Sequence, residues 1–140
     1  MRQQATGNRK RHEATGNKKT AMADIKSYKD LLVWQRSMDL VETIYRATDK
    51  LPSKEQWGLT SQMRRASISI PSNIAEGYGR RATGDYRHHL AIGRGSLLEL
   101  ETQTLLCERL TYLKSEEVVP ILDEIQQISR MLATLQSKIH

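Results

Sequence analysis

The last part of the chain carries an apolar repeat that leaves few choices of fold. Val118, Ile121, Ile125, Ile128, Leu132, Leu135 and Ile139 recur at alternating three- and four-residue steps across three heptads. This spacing places all seven side chains on one stripe of an α-helix and does not fit the two-residue period of a strand. A helix with one apolar stripe must bury it against other elements, so the rest of the chain has to supply partners.

It supplies three more helices. From Ser27 onward, Leu31, Trp34, Met38, Val41 and Tyr45 trace one helical face, and Leu40, Ile44, Ala47 and Leu51 widen it. Pro52 ends that helix, and Ser53 with Gln56 has the form of a capping box for the next. The second helix is expected from about Ser53 towards Glu76, with Leu59, Met63, Ala66, Ile70 and Ile74 inward. Pro71 inside it predicts a kink or break near Ser67, and Gly77-Tyr78-Gly79 predicts its stop. The third runs from near Thr83 to about Leu113, with Tyr86, Leu90, Gly93, Leu97, Leu100, Thr104 and Cys107 along its seam. The fourth begins at Ser115, where Glu116 and Glu117 suit the positive end of the helix dipole.

Four helices of ~20–30 residues joined by short connections pack most simply up-down-up-down. The expected fold class is therefore all-α: an antiparallel up-down-up-down four-helix bundle over residues 25–140, preceded by a disordered basic tail over 1–24. Three of the four apolar stripes are wider than one neighbour requires, which points to a homo-oligomer.

Charge is unevenly placed. The chain has a formal net charge of +6, and residues 1–26 contribute +5 of it through seven Lys and Arg against Glu13 and Asp24. The remainder is close to neutral, so the fold as a whole is not a basic nucleic-acid module. Residues 1–21 are polar, rich in Gly, Asn and Thr, and contain a doubled Ala-Thr-Gly-Asn motif offset by nine residues. Such a segment cannot bury enough surface to order itself. Met22 stands at its end, and a translation start there would give a chain with no tail.

Catalytic chemistry finds little to use. The lone Cys107 lies on an apolar seam and reads as a buried core thiol in a reducing compartment. His88 and His89 point about 100° apart on a helix, so they cannot share a metal. Asp85 and His89 share a face but are too few to form a site. No nucleophile elbow, Walker or zinc pattern is present. Gly77-x-Gly79 follows a helix, whereas a phosphate cradle precedes one. No cofactor and no metal are expected, and the reading is non-enzymatic. No segment has the ~20 apolar residues of a membrane span, which makes the expected location cytoplasmic.

Basic residues carry the remaining signal. Arg9, Lys10, Arg11, Lys18 and Lys19 in the tail, with Arg80, Arg81 and Arg87 at one end of the bundle, are the candidate nucleic-acid contacts. In a hairpin folding about residues 80–81, Arg65 lies beside Ser96 and Asn73 beside His88. Arg64 or Arg65 is then placed to pair with Glu99 or Glu101. Asn73 is placed to bond carbonyls freed by Pro71, and Glu76 to reach an arginine on the third helix. Gly93 and Gly95 are expected to let the second helix approach closely.

Several strings are distinctive together: Ser27-Tyr-Lys-Asp-Leu-Leu-Val-Trp-Gln35, Gly58-Leu-Thr-Ser-Gln-Met-Arg64-Arg65-Ala66, Ser69-Ile-Pro71-Ser-Asn73-Ile-Ala-Glu76-Gly77 and Arg94-Gly95-Ser96-Leu-Leu-Glu99-Leu-Glu101-Thr-Gln103. With them the chain resembles the four-helix-bundle family of 23S rRNA intervening-sequence proteins from about Ser27 to Leu135. The resemblance implies a ring-like homopentamer. It further implies a role beside RNA or, as in related bundles of diversity-generating retroelements, beside a reverse transcriptase or other protein partner.

Overall fold

A computed structural model describes residues 24–80 and 82–139. It contains four long helices: α1 Leu32–Thr48, α2 Leu59–Arg80, α3 Thr83–Arg109 and α4 Ser115–Ser137. Each packs on its sequence neighbours and α4 closes against α1, which is the expected bundle. The tail expected over 1–24, with Arg9, Lys10, Arg11, Lys18 and Lys19, falls outside the described residues apart from Asp24.

The α4 stripe is buried as its period demands. Val118, Ile121, Ile125, Ile128 and Leu132 are core residues, with Leu135 and Ile139 packed against them. On α3, Leu90, Gly93, Leu97, Leu100, Thr104 and Cys107 are all buried, again as expected. On α1 the narrower series proves to be the core. Leu40, Ile44 and Ala47 are buried with Val33, whereas Met38 and Tyr45 are 41% and 37% exposed. Ser37 and Thr48 complete that face, because their hydroxyls donate to the carbonyls of Val33 and Ile44 one turn back, at 2.7 Å each. A hydroxyl satisfied in this way can enter the core without an unpaired polar atom.

Helix ends depart from the sequence-based limits for identifiable reasons. Thr48 ends α1, ahead of Pro52. Ser53–Glu55 forms a separate 3-10 turn in which Ser53 makes no cap. The cap of α2 comes instead from Glu55, whose Oε1 accepts the Leu59 amide at 3.1 Å while Oε2 accepts the Tyr112 hydroxyl at 2.8 Å. Those bonds hold the Glu55 carboxyl below its ordinary pKa, the amide contributing most. At its far end α2 passes Gly77-Tyr78-Gly79 and stops only at Arg80, so these glycines are not its stop signal. Nor is α2 broken near Ser67: it stays helical through the buried Pro71. Helix α3 ends at Arg109, short of Leu113. Thr111 there takes the left-handed conformation (φ 63°) and the amide of Tyr112 reaches back to Cys107 O at 2.8 Å. This is the Schellman closure, with threonine standing where glycine is usual.

Gly77 is a point of close approach. A Cβ built there would lie 2.9 Å from the His89 Cβ and 3.1 Å from the Tyr86 ring, so α2 and α3 nearly touch at this level. Gly93 is buried with ordinary contacts to Leu132 and Ile70, whereas Gly95 faces open space and plays no part in the approach. The two exposed and buried glycines therefore answer oppositely to the same change. Gly95→Ala should raise stability by about 0.5–1 kcal/mol through helix propensity. Gly77→Ala should lower it by about 1–3 kcal/mol, because the overpacking exceeds that gain. Urea denaturation of the two variants beside the wild type checks both signs.

Candidate functional surface

Among the described residues, the arginines expected to meet phosphate are mostly held by the protein itself. Arg80 pairs with Glu76 on its own helix at 2.9 Å. Arg87 donates to the carbonyl of Ile139, tying the start of α3 to the end of α4. Arg81 lies outside the described residues. Arg94 donates to Gln136 Oε1 at 2.9 Å and so fastens α3 to α4 a second time.

Arg64 has a different partner from the one expected. It reaches α1 and not the α3 carboxylates: Nε donates to Thr48 Oγ1 at 2.8 Å, and Nη2 to Asp49 Oδ1 at 2.9 Å. Its guanidinium lies 4.4 Å above the Tyr45 ring, a cation–π contact that also explains why Tyr45 remains half out of the core. Arg65 contacts only the Ser61 hydroxyl, at 3.5 Å. Glu99 accepts weakly from Gln103 at 3.4 Å. Glu101 makes no pair with Arg64 or Arg65.

The Ser-Ile-Pro-Ser-Asn-Ile-Ala-Glu-Gly string lies in the middle and second half of α2, along the α2–α3 seam. Asn73 Nδ2 donates to the carbonyl of Ser69 at 2.8 Å and to its Oγ at 3.0 Å. Ser96 on α3 donates to the same Ser69 Oγ at 2.8 Å. The carbonyl Asn73 takes is thus that of Ser69, whereas the one left without its amide by Pro71 belongs to Ser67. The result is a polar relay that links α2 to α3. The Ser69 Oγ is its central atom, accepting from both Asn73 and Ser96; its place one turn before Asn73 is the signal that the sequence offers.

Glu76 does not reach an α3 arginine. Its carboxylate bonds Arg80 and stands 3.6 Å from His89 Nε2. The Arg80 bond, with the His89 ring adding to it, holds Glu76 below its ordinary pKa. His89 Nδ1 contacts the Asp85 carbonyl at 2.9 Å, so the imidazole is oriented by backbone and not by the Asp85 carboxylate.

Farther along the seam, Gln103 is buried and its Oε1 has no partner among the described residues. Cys107 is fully buried against Met63 Sδ at 3.5 Å, and burial pushes its thiol up to about 11. A thiol so placed is not a nucleophile at neutral pH. Among the described residues no group of three or more His, Cys, Asp and Glu could hold a metal ion. No described helix is long and apolar enough to cross a membrane.

The pattern of the family described as 23S rRNA-intervening sequence protein matches residues 29–134. The chain belongs to that family. A crystal structure of a protein of unknown function from the S23 ribosomal protein family of Bacteroides thetaiotaomicron VPI-5482 has the same fold. The two align with a TM-score of 0.70 at 22% identity, over 75% of this chain and 98% of that one. At this identity the likeness concerns the fold alone. No curated protein matches the sequence.

In this intervening-sequence family member the relay is a structural joint, and stability is where its loss should register. Asn73→Ala should cost about 1 kcal/mol, since Ser69 keeps its Ser96 bond and only a partly buried amide is lost. Ser69→Ala removes the shared atom and should cost at least as much. Glu76→Ala, which breaks an exposed pair, should leave the thermal transition near that of the wild type. Melting curves of the three variants followed by far-ultraviolet circular dichroism provide the check.

Proposed function

We propose that the protein is a non-enzymatic assembly subunit whose bundle forms a homo-oligomer and whose basic N-terminal segment carries that oligomer to RNA. The observation that carries this reading is the division of charge. Several of the bundle's cations are engaged within it: Arg36 with Glu124, Lys50 with Glu117, Arg64 with Asp49, Arg80 with Glu76. Residues 1–26 hold +5 of the net +6. A run of Lys and Arg reaches phosphates and not base edges, so it supplies affinity without sequence preference.

Assembly draws support from the surface. Leu98 is 66% exposed and Val119 58%, and Leu32, Ile68, Ile92 and Leu106 are exposed as well. Apolar residues so distributed around a small bundle suit packing between subunits. The family description, which names 23S rRNA, agrees with an RNA-associated role. A second reading, an accessory subunit of a different protein, draws on Trp57, which stands 84% exposed in the α1–α2 connection.

Two measurements test the proposal. Light scattering should give about five times the 16.0 kDa chain mass, and a monomer would remove the assembly half. Full-length protein should bind structured RNA in a salt-sensitive manner, and deletion of residues 1–21 should weaken binding about tenfold or more. Arg80→Ala with Arg87→Ala should change binding far less, because both side chains already have partners. RNA binding unaffected by the deletion would overturn the tail's role. Its absence at ~50 mM salt would favour the protein-partner reading.

A further inference from the structure

Two surfaces of the bundle complement each other in both shape and charge. The first is a groove of about 540 Å³ between the start of α1 and the C-terminal half of α4. Leu32, Met131 and Leu135 contribute to its apolar floor, and Arg36, Arg130 and Lys138 to its rim. Arg36 is already tied to Glu124 and Gln127. The side chains of Arg130 and Lys138 make no hydrogen bond or ion pair among the described residues.

The second surface is a ridge on α3 and α4. Leu98, Glu101, Leu105 and Glu108 follow at steps of three, four and three residues, so they form one stripe on α3. The Arg94–Gln136 and Arg87–Ile139 bonds set the register of α3 against α4. In that register Glu108 is level with Val119, and Leu105 with Leu122. Leu98, Leu105 and Val119 are exposed, as are the side chains of Glu116 and Asp123 beside them. Neither Glu101 nor Glu108 pairs with any described residue. Arg109 borders the ridge, one cation beside four carboxylates.

We propose that the ridge of one copy of this chain seats in the α1–α4 groove of the next, with Leu98 and Leu105 on the groove floor and Glu101 and Glu108 against Arg130 and Lys138. The inference rests on the homo-oligomeric reading above and names its contact. Charge selects this occupant. The chain's own N-terminal segment carries +5 over residues 1–26, so the cationic rim repels it. RNA would meet the two free cations over an apolar floor that offers it nothing. A ridge meeting a ridge, or a groove a groove, would set like charges together at a cost in affinity. What remains is a contact between two different patches, which repeats around a ring or along a filament.

The test is a charge swap read by sedimentation velocity at ~0.15 M salt. Glu101→Lys with Glu108→Lys, and separately Arg130→Glu with Lys138→Glu, should each weaken assembly about tenfold or more. The four changes combined should restore it, since the pairing is then reversed and not lost. Arg130 and Lys138 are exposed and Glu101 and Glu108 half-buried, and far-ultraviolet circular dichroism checks that each variant is folded. Should a reversal variant fail to fold, Glu101→Gln with Glu108→Gln serves in its place and should weaken assembly by a smaller factor. Wild-type protein that assembles while both double variants assemble equally well would overturn this contact and leave the oligomer standing. Doubles that dissociate with no recovery in the fourfold variant would overturn it too. Wild-type protein that is monomeric would remove the oligomeric reading and this contact with it.

Discussion

The close approach of α2 and α3 is the constraint on which the other packing depends. Two long helices can come within contact distance of their backbones only where one side lacks a Cβ, and Gly77 supplies that against His89 and Tyr86. Seven residues beyond His89 along α3, Ser96 is joined to Ser69 by a hydrogen bond that only small side chains permit at 2.8 Å. Cys107 and Met63 continue the same line with polarisable sulfur. With the hairpin closed and its register fixed, α1 and α4 become outer partners, fastened by longer arms: Arg64 to Thr48 and Asp49, Arg94 to Gln136, Arg36 to Glu124. Long side chains hold helices at a distance, and the open groove lies on that looser side, between α1 and α4.

Much of this was legible in sequence because a core stripe has a period and a period needs no partner to be seen. The α3 and α4 faces follow it almost residue for residue. On α1 the same logic favoured Trp34, Met38 and Tyr45, large residues at helical spacing, over a face that contains Ser37 and Thr48. Those hydroxyls are bonded within their own helix and count as filler in the core, a property that hydropathy cannot register. Helix ends were misjudged where a local signal met a tertiary one. Ser53 and Gln56 look like a cap, but Glu55 is claimed by Tyr112 and the Leu59 amide together, which places the start of α2 later. Gly77-Tyr78-Gly79 looks like a stop, but the space that Gly77 leaves is filled by α3, and the helix runs on to Arg80.

The polar partners were the least legible part. Reasoning from one hairpin directed Arg64 towards Glu99 and Glu101, since α3 was the only neighbour in view. In a bundle each helix has two neighbours, and Arg64 turns to the other one, where an aromatic face, a hydroxyl and a carboxylate converge. A guanidinium uses all three kinds of contact at once, so the α1 side offers it more than a single exposed carboxylate could. The Ser69 hydroxyl went unseen for a related reason. A serine between two better-known motif residues has no pattern of its own until the helix that it faces is known.

Charge then separates into two populations with different work to do. Some charged groups of the bundle hold helices together, as Arg36 with Glu124, Lys50 with Glu117 and Arg64 with Asp49 do, and those pairs stay local and contribute little at long range. The free ones on the ridge and in the groove, Glu101, Glu108, Arg130 and Lys138, are opposite in sign and sit on different faces, so a pairing among them would run between molecules. Once they pair, the assembled bundle presents even less uncompensated charge than the isolated one, and the N-terminal segments become its dominant electrostatic feature. Linking several such segments on one body raises the local concentration of each for an RNA already held by another, a gain that depends on their number and reach and not on any new contact. On this view the fold acts at a remove: what it contributes to binding is the count and spacing of the tails, and both follow from how the ridge meets the groove.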